Sequence, residues 1–233
     1  NPVAVIQGNL ELLQEVLGDD AEPVREEIRL INAQTRRIQT IVTRLLQFAR
    51  PGDFAGYTEA VDANAVVADC LVLTRHNLTR AAITVQTALT ATGTVEVNRG
   101  ELQQVLINLI MNAMQAMSGG GTLTLGSRDI PPGDPFGDGV VLEVRDTGHG
   151  IAPGDIARIF DPFFTTKKHS GTGLGLSISY AIIRRYGGDI AVESRPGAGT
   201  VFTLRLRRQA VFTDQTSTAP VFAARFLDGK PPG

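Results

Sequence analysis

The sequence predicts an α+β protein in two parts, an N-terminal antiparallel helical hairpin followed by a mixed sheet that carries helices on one face. Glycine placement indicates this division, because the first 50 residues hold two of the 25 glycines whereas seventeen lie between Gly119 and Gly199. Hydrophobic periodicity agrees with it, since early apolar residues recur at helical spacing and later segments alternate as strands do. A chain of 233 residues is long enough for one or two domains.

The composition excludes several classes of protein. A formal net charge of -2 argues against nucleic-acid binding by phosphate neutralisation. Cys70 is the only cysteine, so an internal disulfide framework is excluded, and no Cys/His cluster has zinc spacing. No apolar run approaches the ~20 residues of a membrane span, and no segment resembles a signal peptide. Because the chain begins at Asn1, we expect it to be part of a longer protein.

Residues 1–50 predict the hairpin. Apolar residues step by three and four positions, stop near Gly18 and Pro23, and resume in the same rhythm. Two helices alone do not bury so large a seam, so we expect two copies to pair as a four-helix bundle. The alternative is a hairpin packed on the rest of its own chain. The seam consists of Val3, Ile6, Leu10, Leu13, Leu17, Val24, Ile28, Ile31, Thr35, Ile38, Val42, Leu45 and Ala49.

Residues 51–60 predict a linker and residues 61–208 a second domain, whereas residues 209–233 carry no clear pattern and are interpreted as a C-terminal tail. Within the second domain, we expect helices over about 62–80, over about 99–117 after an Asn98 cap, and after Gly173. Strands are predicted at 83–87, 94–97, 122–128, 140–145, 189–194 and 200–206.

Three amides share one face of the helix over 99–117, because Gln104, Asn108 and Asn112 recur every four residues. A carboxamide oxygen is a neutral ligand that suits a Mg²⁺ ion already bound to phosphates. The alternative is a solvated polar face, although asparagine is a mediocre helix former and two of them in mid-helix favour a specific role.

Asp146 follows an apolar strand and precedes the turn from Thr147 to Ile151. An ionised carboxylate only accepts hydrogen bonds, so at the floor of a pocket it would select the exocyclic amine of adenine over the carbonyl of guanine. Gly148 and Gly150 leave room for a flat base. The pattern also fits an ordinary turn at a strand end.

A glycine-rich segment, 171–177, opens the last predicted helix, whose free N–H groups favour phosphate oxygens. Its spacing fits neither the Rossmann fingerprint nor the Walker A loop. The residues from Thr165 to Thr172 predict a short mobile cover, with Lys167 or Lys168 as a cation for the phosphates. On its own, such a glycine triplet is weak evidence.

In this order and spacing, the segments resemble the transmitter core of a bacterial sensor histidine kinase over residues 1 to about 207. The resemblance implies a dimerisation hairpin of the HisKA type followed by an ATP-binding α/β sandwich of the GHKL (Bergerat) type. The matching segments are 101–117 with the N box, 146–151 with the first G box, 160–167 with the F box, 171–177 with the second G box, 187–202 with the closing hairpin and 45–51 with the nitrogen-regulation, NtrB-like subclass.

The resemblance implies roles for individual residues. Asn112 matches the Mg²⁺ ligand, Asp146 the residue that reads adenine, and Lys167 the lysine of the F box. Asn108 stands where gyrase-type relatives carry a glutamate that activates water; an amide is no base, so we expect slow hydrolysis and transfer of the γ-phosphoryl group to a histidine. The remaining nucleotide-binding positions are Gly148, Gly150, Ile151, Phe160, Gly171, Thr172, Gly173, Leu174, Gly175 and Leu176.

The resemblance also implies cofactors and partners. ATP and Mg²⁺ are the expected cofactors, and a second copy of the chain and a response regulator are the expected partners. Asn1 matches the position that orients water for dephosphorylation of the response regulator. The expected location is cytoplasmic, with membrane attachment only through upstream segments.

The chain departs from the family at its start. The phosphoacceptor motif resembles His-Glu-x-x-Asn-Pro, of which Asn1 and Pro2 are present, so the histidine is expected four residues before Asn1. His76, His149 and His169 do not fit the pattern, and we therefore expect no autophosphorylation of these 233 residues alone. The alternatives are a GHKL ATPase similar to gyrase B or MutL, and a non-catalytic ATP-binding scaffold.

Overall fold

The computed structural model describes residues 2–49, 57–166 and 172–212. The chain divides into two compact units, Asn1–Phe54 and Ala55–Gly233. Residues 51–56 of the predicted linker and residues 213–233 of the predicted tail lie outside the described residues.

The first unit is a helical hairpin, as the periodicity predicts. Helix α1 spans Pro2–Leu17, a 3-10 segment spans Gly18–Val24, and helix α2 spans Arg25–Ala49. Gly18 has φ +51°, a left-handed conformation that glycine adopts without strain. The chain can therefore turn back between the two helices.

The hairpin buries only part of its predicted seam. Ile28 and Thr35 are buried, and the Thr35 hydroxyl donates to the Ile31 carbonyl at 2.8 Å. By contrast, Ile31 is 47% exposed and Ile38 is 50% exposed, although both belong to the same seam. Six of the eleven seam side chains that the structure describes are thus exposed in this unit.

The second unit contains a five-stranded mixed sheet in the order β2-β4-β5-β7-β6, with β2 and β4 parallel and the other neighbours antiparallel. Strands β1 and β3 form a separate antiparallel ribbon. The strands are β1 Glu59–Asp62, β2 Ile83–Leu89, β3 Thr94–Val97, β4 Gly121–Asp129, β5 Gly139–Asp146, β6 Asp189–Arg195 and β7 Gly199–Arg207. The helices are α3 Ala63–Arg80, α4 Arg99–Ala116, α5 Pro153–Ile156 and α6 Gly175–Arg185.

Helices α3, α4 and α6 pack against the sheet and enclose the core. Helix α4 starts after Asn98, whose side-chain oxygen accepts a hydrogen bond from the Glu101 amide at 3.0 Å. The predicted cap and the predicted apolar stripe of this helix are both present. The buried stripe consists of Leu102, Val105, Leu106, Leu109, Ile110 and Ala113.

The boundaries of the second unit differ from the prediction. Strand β1 begins at Glu59, inside the predicted linker 51–60, because it is held by pairing with β3, which lies about 35 residues later. The fold also continues past residue 208, since the Ala210 amide donates to Glu96 Oε2 at 2.9 Å. The short helix α5 was not predicted. Among the described residues, no helix combines the length and apolarity that crossing a bilayer requires.

Candidate functional site

Asp146 ends strand β5 and is 5% exposed. Its register partners on the neighbouring strands are Leu123 and Thr200. One carboxylate oxygen accepts a hydrogen bond from the Gly148 amide at 2.8 Å. Burial raises the pKa of the Asp146 carboxyl, and hydrogen bonds from the Gly148 and Thr200 amides oppose that rise because they favour the charged form. Asp146 is therefore a buried acceptor at a strand end.

The turn after Asp146 is held between two other elements. The His149 amide donates to the Ala116 carbonyl at the end of α4, and the His149 carbonyl accepts from the Gly197 amide in the β6–β7 turn. A Cβ on Gly148 would lie 2.6 Å from the Ala116 oxygen. Gly150 has φ +71°, and a Cβ there would overlap the Arg195 carbonyl group. Both positions therefore require glycine for close backbone approach.

Asn108 is in the middle of helix α4, and its side chain reaches helix α6. Its Nδ2 donates to the Ser179 hydroxyl at 2.9 Å, which joins the middle of one helix to the other. A Cβ on Gly175 would lie 3.1 Å from the Asn108 Cγ and overlap its amide oxygen. Glycine at this position therefore lets the first turn of α6 approach the Asn108 amide.

Asn112 follows one turn later on the same helix and is half-buried, as is Gln104 one turn before Asn108. No described residue makes a hydrogen bond to the Asn112 side chain. Its carboxamide oxygen therefore keeps its capacity to bind a ligand, and its Nδ2, unlike that of Asn108, makes no hydrogen bond to a described residue.

Phe163, in the aromatic segment that precedes the glycine-rich turn, packs against Gly173. Gly173 has φ +67°, and the Phe163 amide donates to its carbonyl at 3.0 Å. Leu174 is fully buried, and the Phe160 and Tyr180 rings lie 5.3 Å apart between centroids. The glycine-rich start of α6 is thus anchored to the aromatic segment that precedes it.

The other predicted site residues divide into two groups. Ile151, Thr172 and Leu176 are half-buried in this region of the second unit. Asn1, Lys167 and Gly171 lie outside the described residues. The structure therefore brings together Asp146 with its turn, and Asn108 with the start of α6.

A charged cluster that the sequence analysis missed joins α4 to the end of α6. Arg185 Nη1 lies 2.9 Å from Glu101 Oε1, and the Tyr186 hydroxyl donates to Glu101 Oε2 at 2.5 Å. Burial, together with the hydrogen bond to Glu101, raises the pKa of Tyr186 to about 12. The cluster fixes the spacing of the two helices that hold the asparagines and the glycine-rich turn.

Two further hydroxyl residues on the next two strands across the sheet from Asp146 were also missed, Thr200 on β7 and Ser194 on β6. Thr200 is buried, and Ser194 lies opposite it on β6. The sequence does carry a signal for them. Strand alternation places Ser194 on the same face as Ile190 and Thr200 on the same face as Phe202, and a polar residue on that buried face is unusual.

Two family models match the chain. The model described as the histidine kinase-, DNA gyrase B-, and HSP90-like ATPase matches residues 97–210. The model of the His Kinase A (phospho-acceptor) domain matches residues 1–53. The two matches correspond to the second and the first unit of the fold.

Curated relatives include several sensor kinases. The sensor kinase CckA of Brucella abortus (strain 2308) is 36% identical over 213 residues, which are 87% of this chain and 22% of the relative. The signal transduction histidine-protein kinase AtoS of Escherichia coli (strain K12) is 34% identical over 208 residues, 88% of this chain and 32% of the relative. The chain thus spans about a fifth to a third of these two proteins.

Solved structures show the same architecture. The nucleotide-free catalytic domain of histidine kinase ThkA matches with TM-score 0.59 and 30% identity, over 66% of this chain and 97% of that one. Full-length ShkA in complex with AMPPNP matches with TM-score 0.65 and 27% identity, over 81% of this chain and 40% of that one. ThkA in complex with the response regulator protein TrrA matches with TM-score 0.65 and 28% identity, over 90% of this chain and 58% of that one.

The second unit therefore has the GHKL fold that the motifs predict. The helical unit matches the family model of the His Kinase A (phospho-acceptor) domain, and the match to the ATPase model follows it along the chain. From its fold, its two family matches and its relatives, the chain belongs to the sensor histidine kinase family.

Proposed function

We propose that this chain is the core of a sensor histidine kinase, which binds Mg·ATP in its second unit, transfers the γ-phosphoryl group to a histidine, and passes it to a response-regulator aspartate. The observation that carries the proposal is Asp146, a buried acceptor beside a turn whose Gly148 and Gly150 have no room for a side chain. An adenine amine fits such an acceptor, because the ionised carboxylate has no proton to donate.

Asn108 and the start of α6 are the proposed phosphate side of the site. Helix α6 has 11 residues and begins at Gly175, so its first amides are free of intrahelical partners and attract anionic oxygens. Lys167 and Gly171 are proposed for this side from the family resemblance alone. Asn108 donates to Ser179 and has no basic lone pair on its amide nitrogen, which supports transfer to a histidine rather than hydrolysis.

The donor set fits Mg²⁺ that arrives with the nucleotide. Among the described residues, no group of three His, Cys, Asp or Glu side chains could hold a metal ion. The Asn112 oxygen is a hard, neutral ligand with no hydrogen bond from a described residue, and Mg²⁺ commonly takes one or two protein ligands beside phosphates and water. We propose Asn112 as that ligand; the ion would neutralise charge on the phosphates.

The hairpin is the proposed dimer interface. Its exposed apolar side chains include Val5, Leu12 and Val16 on α1 and Ile31 and Ile38 on α2. A second copy would cover them in a four-helix bundle, and burial of apolar surface would drive the association. The measurement is molar mass by light scattering: we expect a dimer, and a monomer for the double variant Ile31→Glu/Ile38→Glu. A monomeric wild-type chain would contradict the proposal.

Nucleotide binding is tested by titration of a fluorescent ATP analogue with and without Mg²⁺. We expect wild-type binding to strengthen with Mg²⁺, and Asn112→Ala to lose about tenfold in the presence of Mg²⁺ but little in its absence, because one metal ligand is removed. Gln86→Ala, at an exposed position of β2, is the control and is expected to bind as wild type does. An Asn112→Ala chain with unchanged Mg²⁺ dependence would refute the ligand role.

Phosphoryl transfer is tested with γ-labelled ATP. We expect acid-labile, base-stable label on a chain extended before Asn1 by a helical segment that ends in His-Glu-x-x, and none on the same extension with alanine in place of that histidine. Labelled chain should lose its label to the aspartate of an added response regulator. Continuous phosphate release without protein label would instead indicate a gyrase-type ATPase.

A further inference from the structure

A row of polar side chains crosses three neighbouring strands at one end of the sheet. Asp146 on β5 is the register partner of Thr200 on β7, and Thr200 is the register partner of Ser194 on β6. Asp146 and Thr200 are 5% and 4% exposed. Side chains directly opposite each other on antiparallel strands lie in contact range. The row therefore places the Thr200 hydroxyl next to the buried carboxylate and the Ser194 hydroxyl next to Thr200.

The hydrogen bonds of Ser194 leave one arrangement of its proton. Its hydroxyl oxygen accepts from the Ile151 amide at 2.8 Å and lies 2.9 Å from the Gly199 carbonyl oxygen. It also lies 3.0 Å from the Thr200 hydroxyl oxygen. A carbonyl cannot donate, so the single Ser194 proton is committed to Gly199.

The direction of the hydrogen bond between Thr200 and Ser194 follows from this. The Ser194 proton is used at Gly199, so the contact between the two hydroxyl groups needs the proton of Thr200. Thr200 then donates to Ser194 and retains only acceptor capacity on its oxygen. Two acceptors, the Asp146 carboxylate and the Thr200 oxygen, stand on adjacent strands.

We propose that Ser194 is a positioning residue for base selection, because it fixes the Thr200 hydroxyl as an acceptor beside Asp146. An exocyclic amine has two hydrogens and matches a pair of acceptors, whereas the oxygen of a 6-oxo purine would face two acceptors without a proton between them. Ser194 thus acts on the ligand through Thr200. The inference rests on the proposed nucleotide site.

The test compares three nucleotides on the whole chain. ATP carries the 6-amine, inosine triphosphate carries a 6-oxo group, and purine riboside triphosphate carries neither. In Ser194→Ala the Thr200 proton is released and can turn to a 6-oxo oxygen or to Asp146. We expect ATP affinity to fall about 3–10-fold, the magnitude of one neutral hydrogen bond, while inosine triphosphate affinity is kept or rises. The ratio of the ATP affinity to the inosine triphosphate affinity should therefore fall about 3–10-fold or more.

Purine riboside triphosphate separates base selection from general loosening of the turn. Its affinity should fall by no more than about twofold in Ser194→Ala, because it carries no amine or oxo group to place between the two acceptors. Ser194→Thr retains a hydroxyl and should restore the wild-type ratio. Thr200→Val should lower the ratio as Ser194→Ala does, and the double variant should lower it no further, since both act through one hydroxyl.

Ser127→Ala is the matched control. Ser127 is buried on the same face of the sheet, on which Ser194 is half-buried, and its hydroxyl donates to Asn64 Oδ1 at 2.6 Å, away from this row. In Ser127→Ala the ratio of the ATP affinity to the inosine triphosphate affinity should stay at the wild-type value. Equal weakening of all three nucleotides in Ser194→Ala, or an unchanged ratio, would overturn the inference without contradicting the proposed ATP-binding function. A wild-type chain that binds no ATP would overturn the proposed function and this inference with it.

Discussion

Two glycines that contact the same turn give a matched pair of variants. Gly150 has φ +71° and Gly197 has φ +77°, and the Gly197 amide donates to the carbonyl of His149, the residue before Gly150. A Cβ on Gly197 meets no atom within 4 Å. A Cβ on Gly150 would lie 2.7 Å from the Arg195 carbonyl carbon and closer still to its oxygen. The two alanine variants therefore share backbone strain and differ in the steric overlap.

The magnitudes follow from these geometries. Left-handed backbone costs an alanine about 1–2 kcal/mol, so Gly197→Ala should lower the Tm by roughly 2–8 °C in a domain of this size. In Gly150→Ala the turn and β6 must also move apart, which adds about 1–3 kcal/mol. That movement displaces the turn beside Asp146, so we expect ATP affinity to fall about tenfold or more, the effect of one lost hydrogen bond to a charged group.

The assays are thermal unfolding followed by circular dichroism, and titration of the fluorescent ATP analogue. Gly197→Ala should bind within about twofold of wild type, since only backbone strain changes and the turn stays in place. Equal affinities for the two variants would refute the reasoning, because the overlap with Arg195 is what distinguishes them.

Two further predictions concern buried ionisable groups. Burial raises the pKa of Asp146 above 3.8, so its contribution to stability falls as the pH rises through the raised pKa. Asp146→Asn should therefore melt higher than wild type at pH 7 while it loses ATP affinity by about 10–100-fold; a lower Tm would contradict this. Tyr186 has a pKa raised to about 12, so wild-type stability should fall by about 2–3 kcal/mol between pH 10 and 12. Tyr186→Phe should lack that fall, measured by urea unfolding, and an identical pH profile would exclude Tyr186 as its cause.

Much of the fold was predictable because the signals are local. The Asn98 cap lies three residues before the amide that it binds, and the apolar stripe of α4 repeats within that helix. Strand β3 was predicted at 94–97 and is observed there, whereas β1 was not, since Glu59–Asp62 is short and is stabilised by pairing with a distant segment. Local patterns do not encode such pairing.

The candidate site was predictable in its motifs but not in its contacts. Asp146 and the glycines stood out by type and spacing. The Ser179 partner of Asn108 lies 71 residues away in the chain, and the Glu101–Arg185 pair spans 84 residues. No periodicity relates such positions, because they meet only when α6 packs on α4.

The sequence by itself determined the family, the order of the segments, most of the helices and strands, and the residue types available for the site, since each depends on neighbouring residues or on a motif of short length. The tertiary structure alone decided which of these residues touch. The register of β5, β7 and β6 brings Asp146, Thr200 and Ser194 into one row, and that register depends on the packing of a whole face of the sheet rather than on any one strand.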